Sequence, residues 1–125
     1  MLQAAQAHTT LPAADIDRAR RFYDEKLGLT PASEEPGGLF YECASGTRFV
    51  LFPTGGRPSG THTQLGWAVQ DITAEVAALK ARGVVFEEYD YPELKTIDSV
   101  AQTGPHRAAW FKDSEGNLLG LIQSA

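Results

Sequence analysis

Cysteine is almost absent from this sequence, since Cys43 is the only one among 125 residues. A disulfide within the chain and a metal cluster held by several thiolates are therefore both excluded. Long apolar runs are also missing, because no stretch approaches the roughly 18 residues that a membrane-spanning helix requires. Residues 1–14 contain neither lysine nor arginine and no apolar run typical of a signal peptide. We therefore expect a cytoplasmic protein without a membrane partner.

Basic residues are scarce as well: 11 lysines and arginines stand against 16 aspartates and glutamates, for a formal net charge of −5. A surface that binds nucleic acid needs concentrated positive charge, so we expect no nucleic-acid partner. The acidic balance slightly favours neutral or cationic ligands, although net charge acts mainly on solubility. The length and the 42% of apolar residues fit one ordinary globular domain.

The chain contains an internal repeat of two helical patterns. Asp15 opens the first pattern, and Asp71 opens the second one 56 residues later. Both aspartates stand where a helix N-cap belongs, and apolar residues at helical spacing follow each of them. The patterns end at Gly28 and Gly83, as helix C-termini often do.

Segments of strand character flank both predicted helices. They are residues 7–11 and 63–69 before the helices, and residues 38–43, 48–52, 84–86, 107–111 and 117–122 after them. Residues 113–116 predict a hairpin turn, and residues 53–60, rich in glycine, proline and serine, predict a linker. Residues 91–105 predict one long loop, a length that often marks a functional lid.

Each half therefore has the predicted order β-α-β-β-β, with module one at about residues 5–54 and module two at about residues 61–124 of a single domain, residues 1–125. One module alone covers only one face of its small sheet. Two modules together predict an α+β fold, in which a curved mixed sheet has helices on its outer face and a concave cavity inside. That cavity is the natural place for a small-molecule ligand.

Three motifs resemble those of the vicinal oxygen chelate superfamily, which includes glyoxalases, bleomycin-resistance proteins and dioxygenases. Residues 15–23 with 27–29 are similar to its first helix, residues 69–84 to its second, and residues 110–118 to its closing hairpin. The resemblance covers nearly the whole chain and implies the two-module fold and a homodimer. Its motifs are specific for the fold rather than for an activity, because this scaffold carries many unrelated functions.

The resemblance also identifies four positions at which metal-dependent members carry histidine or glutamine on first strands and glutamate on last strands. In this sequence they fall on His8, Gln64, Leu51 and Gly120. Leu51 and Gly120 offer no side-chain donor, whereas a catalytic metal takes about three protein ligands and an open position. His62 is a substitute ligand by strand parity, but the acid would still be missing. We therefore predict that the metal site is lost and that no cofactor is bound.

Strand alternation and the resemblance together predict the lining of the cavity. The predicted ligand-binding residues are His8, Thr10, Phe49, Leu51, Gln64, Trp110 and Gly120. Trp110 is included because thiol-transferring antibiotic-resistance members have an aromatic hydroxyl residue at the similar position. In the opposing interpretation, Leu51 and Gly120 are ordinary packed core and there is no cavity.

The remaining aromatic residues near the predicted cavity divide by parity. Trp67 has the opposite parity from Gln64, so we expect it to pack beneath a helix. Either Phe40 or Tyr41 faces the cavity, and the sequence leaves this choice open.

An aromatic pocket without carboxylates favours binding over catalysis. The leading hypothesis is a metal-free protein that sequesters a hydrophobic or aromatic natural product or antibiotic, as the bleomycin-resistance branch does. The first alternative is a metal-free isomerase or tailoring enzyme with His8 as its base, oriented by Gln64 or Thr10. The second is a metal-dependent glyoxalase-like or dioxygenase-like enzyme, which would need a further carboxylate such as Glu42 or Glu88.

Overall fold

The computed structural model describes residues 1–124, which contain two α-helices and ten strands. Module one consists of β1 (Thr9–Ala13), α1 (Ile16–Glu25), β2 (Ser33–Glu35), β3 (Gly38–Glu42) and β4 (Arg48–Pro53). Module two consists of β5 (Leu65–Ala68), α2 (Ile72–Ala81), β6 (Asp90–Tyr91), β7 (Leu94–Ile97), β8 (Val100–Thr103), β9 (His106–Lys112) and β10 (Leu118–Gln123). The predicted α+β class is confirmed. Neither α-helix in this part of the chain is long and apolar enough to cross a membrane.

Both helices begin and end where the sequence predicts. The Asp15 side chain accepts a hydrogen bond from the backbone N–H of Arg18 at 3.1 Å, and Asp71 caps α2 in the same way at 3.1 Å. Gly28 and Gly83 follow the helices with φ of +70° and +93°. Glycine adopts this left-handed conformation without a Cβ penalty, which explains its place after each helix.

Each module has its own sheet, and the same strand pairing recurs in both. The four-stranded sheet has the order β1-β4-β3-β2, and the six-stranded sheet has the order β5-β10-β9-β8-β7-β6. In each sheet the first strand pairs in parallel with the last, so that Thr10 lies opposite Val50 and Gly66 opposite Gly120. Thr10 and Gly66 are separated by the 56-residue repeat. Val50 and Gly120 therefore occupy equivalent places in the two modules.

The helices cover one face of each sheet and leave the other open. Tyr23 of α1 is fully buried against Tyr41 and Phe49, with ring centroids 5.6 and 5.7 Å away. In module two, Ile72 and Val76 of α2 join the same core. The strand residues of this core are Leu11, Ala13, Leu39, Tyr41, Phe49, Leu51, Ala109, Phe111, Leu119 and Leu121. All of these are odd-numbered, so the even-numbered residues of the same strands lie on the opposite face.

A buried polar network joins the two modules at the β9–β10 turn. The Tyr23 hydroxyl donates to Asp113 Oδ2 at 2.7 Å, and Asn117 Nδ2 donates to the same oxygen at 2.9 Å. Asn117 Nδ2 also donates to the Pro12 carbonyl at 3.0 Å. Burial, followed by the negative charge of Asp113, raises the pKa of Tyr23 well above its usual value. The phenol is therefore a neutral donor at physiological pH.

The predicted loop at residues 91–105 was wrong, because most of it forms β7 and β8. The turn between these strands is made by Asp98 and Ser99, whose φ angles are +51° and +72°. Such a turn usually contains glycine. Here the Glu88 carboxylate accepts hydrogen bonds from Ser99 Oγ and Thr96 Oγ1, both at 2.7 Å. This non-local support replaces the missing turn signal.

Three smaller differences concern short strands. Residues 33–35 form β2, which the sequence did not predict. The predicted strand at residues 84–86 makes a single bridge, between Phe86 and Phe111. β1 occupies residues 9–13, two residues later than expected.

Candidate functional site

The candidate site lies on the open faces of the two sheets, opposite the helices. We call His8, Thr10, Phe40, Val50 and Phe52 the module-one open face. We call Gly66, Tyr89, Ala108, Trp110 and Gly120 the module-two open face. Pairing places Phe40 beside Val50 and Trp110 beside Gly120, so the two aromatic residues are equivalent in the repeat.

The module-one open face forms a shallow hollow. His8 and Thr10 are exposed, Phe40 and Phe52 are half-buried, and Val50 is buried. These residues line a cavity of about 280 Å³, and a neighbouring cavity of about 260 Å³ extends from His8 towards the Arg48–Glu42 ion pair. Phe40 is half-buried and lines both cavities, whereas Tyr41 is 1% exposed, packs in the core and lines only the second, so Phe40 is the residue that faces the hollow.

Leu51 is not on the open face, which corrects the sequence prediction for that residue, whereas Phe49 packs in the core but also lines the cavity of about 260 Å³ that contains His8. Leu51 and Phe49 lie in the core beneath α1, 0% and 2% exposed. Val50 is the β4 residue opposite Thr10, and Val50 rather than Leu51 is equivalent to Gly120. The prediction was one residue out of register, and a one-residue shift exchanges the two faces of a strand. Residues 49–52 are all apolar, so the sequence has no alternation of polar and apolar residues that would show which of them face the core.

Trp110 lies over Gly120 on the module-two open face. Its indole Nε1–H donates to Thr63 Oγ1 at 3.0 Å. A Cβ on Gly120 would lie 3.4 Å from Trp110 Cδ1 and 3.2 Å from Thr63 Cγ2. A Cβ at position 120 would therefore press on the Thr63 methyl group and would touch the indole at ordinary van der Waals distance. The place of the family's second glutamate is taken up by an aromatic ring.

Two tyrosines that the sequence analysis did not select extend this aromatic surface. The Tyr89 ring meets Trp110 edge to face, with centroids 5.6 Å apart and planes at 67°, and it stacks on Tyr91 at 6.2 Å. Burial, followed by the negative charge of Glu87, raises the pKa of Tyr89 above its usual value. The spacing of Tyr89 and Tyr91, two residues apart, is the sequence signal that both rings lie on one side. The sequence prediction does not use it, because residues 87–90 lie between a predicted strand and the predicted loop.

The other predicted polar residue, Gln64, is directed to the linker. Its Oε1 accepts hydrogen bonds from the backbone N–H and from Oγ of Ser59, each at 3.2 Å. His62 is exposed in the same segment. Both cavities that contain His8 are lined by module-one residues, and neither includes Gln64 or Trp110. Within one chain, the structure does not gather the predicted residues into a single cavity.

The four family positions do not fit a catalytic metal. With the register corrected, they carry His8, Gln64, Val50 and Gly120, and the amide oxygen of Gln64 is already occupied by Ser59. Across residues 1–124 there is no cluster of three histidine, cysteine, aspartate or glutamate side chains that could hold an ion. One imidazole and one engaged amide fall short of the usual three ligands.

The two carboxylates considered as substitute ligands are engaged elsewhere. Glu42 pairs with Arg48 at 3.3 Å. Glu88 supports the β7–β8 turn, and its hydrogen bonds from Thr96 and Ser99 lower its pKa below the usual value. Glu42 lines the cavity of about 260 Å³ that contains His8, where its carboxylate is paired with Arg48, and Glu88 lines neither cavity at His8.

Comparison with known proteins identifies similar sequences and folds. The model of the Glyoxalase/Bleomycin resistance protein/Dioxygenase superfamily matches residues 5–121. No match is found among curated proteins. TnmS3, an antibiotic binding protein from Streptomyces sp. CB03234, is 25% identical with a TM-score of 0.65, over 97% of this chain and 98% of that one. A glyoxalase/bleomycin resistance protein from the same organism is 28% identical with a TM-score of 0.62, over 90% and 94% of the two chains. A glyoxalase/bleomycin resistance protein/dioxygenase from Alicyclobacillus acidocaldarius is 24% identical with a TM-score of 0.70, over 94% and 89%.

Proposed function

Because this chain belongs to the glyoxalase/bleomycin resistance protein/dioxygenase superfamily, we propose that it is a metal-free member that sequesters a hydrophobic or aromatic small molecule, such as an antibiotic. The ligand binds between open faces and is released unchanged. The protein thus protects by stoichiometric capture rather than by turnover.

The observation that carries this proposal is the replacement at position 120. Metal-dependent relatives are expected to carry a glutamate there, and this chain has Gly120 beneath the Trp110 indole. An indole contributes a large apolar surface with a defined stacking geometry and no ligand for a metal. The exchange therefore turns a coordinating position into an aromatic binding surface.

The similarity to TnmS3 supports the same function. That protein is an antibiotic binding protein, and the match extends over nearly the full length of both chains. Position-specific support comes from Phe40 and Trp110, which place one aromatic ring on each open face.

A homodimer would complete the site. His8 and Trp110 lie on separate open faces, and neither cavity at His8 reaches Trp110. A symmetric pair of chains would set the module-one open face of one protomer against the module-two open face of its partner. The ligand would then be enclosed between Phe40 of one chain and Trp110 of the other.

The proposal is tested by isothermal titration calorimetry with bleomycin and with doxorubicin, a planar aromatic antibiotic. We expect one of them to bind, and Trp110→Leu to weaken that binding about tenfold or more, since burying a large aromatic side chain is worth more than about 1.4 kcal/mol. Trp67 packs against the core, with its ring edge to face with Phe49 at 6.0 Å, so Trp67→Leu makes the same chemical change away from the open faces and should leave affinity within about twofold. Equal losses in both variants would contradict the proposed site, as would a tightly held metal ion in native mass spectrometry.

A metal-free enzyme is the second candidate, and the exposed imidazole of His8 beside the module-one hollow favours it. Mass spectrometry of the ligand after incubation separates the two functions. A ligand recovered unchanged from both wild type and His8→Ala supports sequestration. A product that forms with wild type and disappears with His8→Ala would make the protein an enzyme.

A further inference from the structure

We propose that Thr63 positions Trp110 as a flat stacking surface for a planar, fused aromatic ligand. The inference rests on the proposed function, because it names the ligand class and a positioning residue for the same site. Thr63 lies two residues before β5 and belongs to none of the positions selected from the sequence.

The indole is held on three sides. Thr63 Oγ1 accepts the Nε1–H hydrogen bond at 3.0 Å, and the Tyr89 ring meets the indole edge to face at 5.6 Å. Gly120 lies beneath it without a Cβ, and an added Cβ would come within 3.4 and 3.5 Å of two indole atoms. An aromatic side chain that is fixed before binding loses less conformational entropy when a ligand stacks on it.

The hydrogen bond to Thr63 also decides what the indole can offer a ligand. Tryptophan has a single polar hydrogen, on Nε1, and no acceptor. Because Thr63 engages that hydrogen, Trp110 has no free hydrogen-bond donor and offers a ligand only its ring surface. Recognition at this point therefore depends on the shape and planarity of the ligand rather than on a hydrogen bond.

The neighbouring groups reinforce this selection. Gly66 and Ala108 add no bulk beside Trp110 on the module-two open face. Glu87, whose backbone N–H bonds to the Trp110 carbonyl, is paired with Lys112 at 3.7 Å. A flat apolar surface suits a rigid polycyclic ring. The net charge of −5 favours a neutral or cationic one.

Two related probes test the ligand class. 9-Aminoacridine has three fused aromatic rings, whereas tacrine has the same amine and ring skeleton with one ring saturated and puckered. Both carry one positive charge at neutral pH, so charge is matched. We expect calorimetry to show that 9-aminoacridine binds at least about threefold more tightly. Equal affinities would overturn the planar class.

Two substitutions test the positioning role. Thr63→Ser keeps the hydroxyl acceptor, while Thr63→Val keeps the shape and removes it. We expect Thr63→Ser to retain the affinity for 9-aminoacridine within about twofold. Thr63→Val should lose about threefold to tenfold, the range that corresponds to one net hydrogen bond. Gly120→Ala should change the affinity less than Thr63→Val, since its Cβ would make ordinary contact with the indole, at 3.4 Å, and would press only on Thr63 Cγ2, at 3.2 Å.

A second readout reports on Trp110 itself. In a Trp67→Phe background, Trp110 is the sole tryptophan, and acrylamide quenching of its fluorescence measures how well the ring is held. Thr63→Val should increase quenching in the absence of any probe, and Thr63→Ser should not. Equal quenching and equal affinity in the two variants would overturn the positioning role.

The failures of the two proposals are distinguishable. If Trp110→Leu weakens binding of the acridine while Thr63→Val does not, the proposed binding function stands and Thr63 has no positioning role. If Trp110→Leu leaves the binding of every probe unchanged, the proposed site fails, and this inference fails with it.

Discussion

Removing the Tyr23 hydroxyl tests the network that joins the two modules. Tyr23 is 0% exposed, and its hydroxyl donates to Asp113 Oδ2 at 2.7 Å. Tyr23→Phe keeps the ring and its aromatic contacts, and Asp113 Oδ2 keeps its second donor, Asn117 Nδ2. The loss is therefore one hydrogen bond to a carboxylate, worth about 1.5–3 kcal/mol of unfolding free energy. Urea unfolding at pH 7, followed by circular dichroism, measures it.

The stability difference between wild type and Tyr23→Phe should also depend on pH, and it should decrease in alkali. The folded-state pKa of Tyr23 is raised, chiefly by burial, so the native phenol keeps its proton where the unfolded phenol loses it, above about pH 10. Wild type then loses up to about 1.4 kcal/mol of stability per pH unit from this group, and Tyr23→Phe does not. The difference between the two proteins should shrink between about pH 10 and 11.

Tyr91→Phe is the matched control, because Tyr91 is 59% exposed and the same hydroxyl is removed. Its unfolding free energy should stay within about 0.5 kcal/mol of wild type. A Tyr23→Phe protein as stable as this control at pH 7, or a difference that stays constant through pH 11, would refute the account of the network.

Two further predictions concern the β4 register and the Arg18–Glu115 pair. Leu51→Ala should lower the unfolding free energy by about 2–5 kcal/mol, because Leu51 is 0% exposed beneath α1. Thr10→Ala on the open face should lower it by less than about 0.5 kcal/mol. Comparable losses of the two variants in urea unfolding would contradict the corrected register. The pKa of Glu115 falls to about 2 although burial alone would raise it, because Arg18, the Asp15 N–H and Ser114 hydrogen-bond its carboxylate. A depressed pKa contributes stability above the unfolded value near 4.5, and that stability is lost as the pH falls towards 2. Glu115→Gln should therefore lower the unfolding free energy by about 1–2 kcal/mol at pH 7, a value reduced by the exposure of Arg18. The difference between wild type and the variant should decrease in acid, and a difference as large at pH 2.5 as at pH 7 would argue against the pair.

Local chemistry made the helices and the closing hairpin predictable. Asp15 and Asp71 cap α1 and α2 with bonds to backbone groups three residues away, and Gly116 has the positive φ that the β9–β10 turn requires. Such features need no distant partner. The repeat of these local signals was also sufficient to predict the α+β class, although the second module has six strands where the repeat predicts four.

The face of β4 could not be predicted in this way. Residues 49–52 are apolar without alternation, and only pairing with β1 places Val50 on the open face and Leu51 in the core. The β7–β8 hairpin was missed for a related reason, because Glu88, eleven residues before Ser99, stabilises its turn. Hydrogen bonds between distant segments decide both features, and composition of the segment itself does not reveal them.

In the candidate site, too, residue identity was predictable and contacts between distant segments were not. The sequence alone determined that the family's carboxylate positions lack carboxylates, since residue identity is enough to exclude a donor at Gly120. The resemblance, rather than any pattern in the residues, selected Trp110 for the cavity. Only the tertiary structure decided that the indole lies over Gly120, that Thr63 Oγ1 accepts its hydrogen bond and that the Tyr89 ring packs against it at a steep angle. These contacts join segments up to 47 residues apart, and chain folding brings them together through core packing that no local pattern encodes.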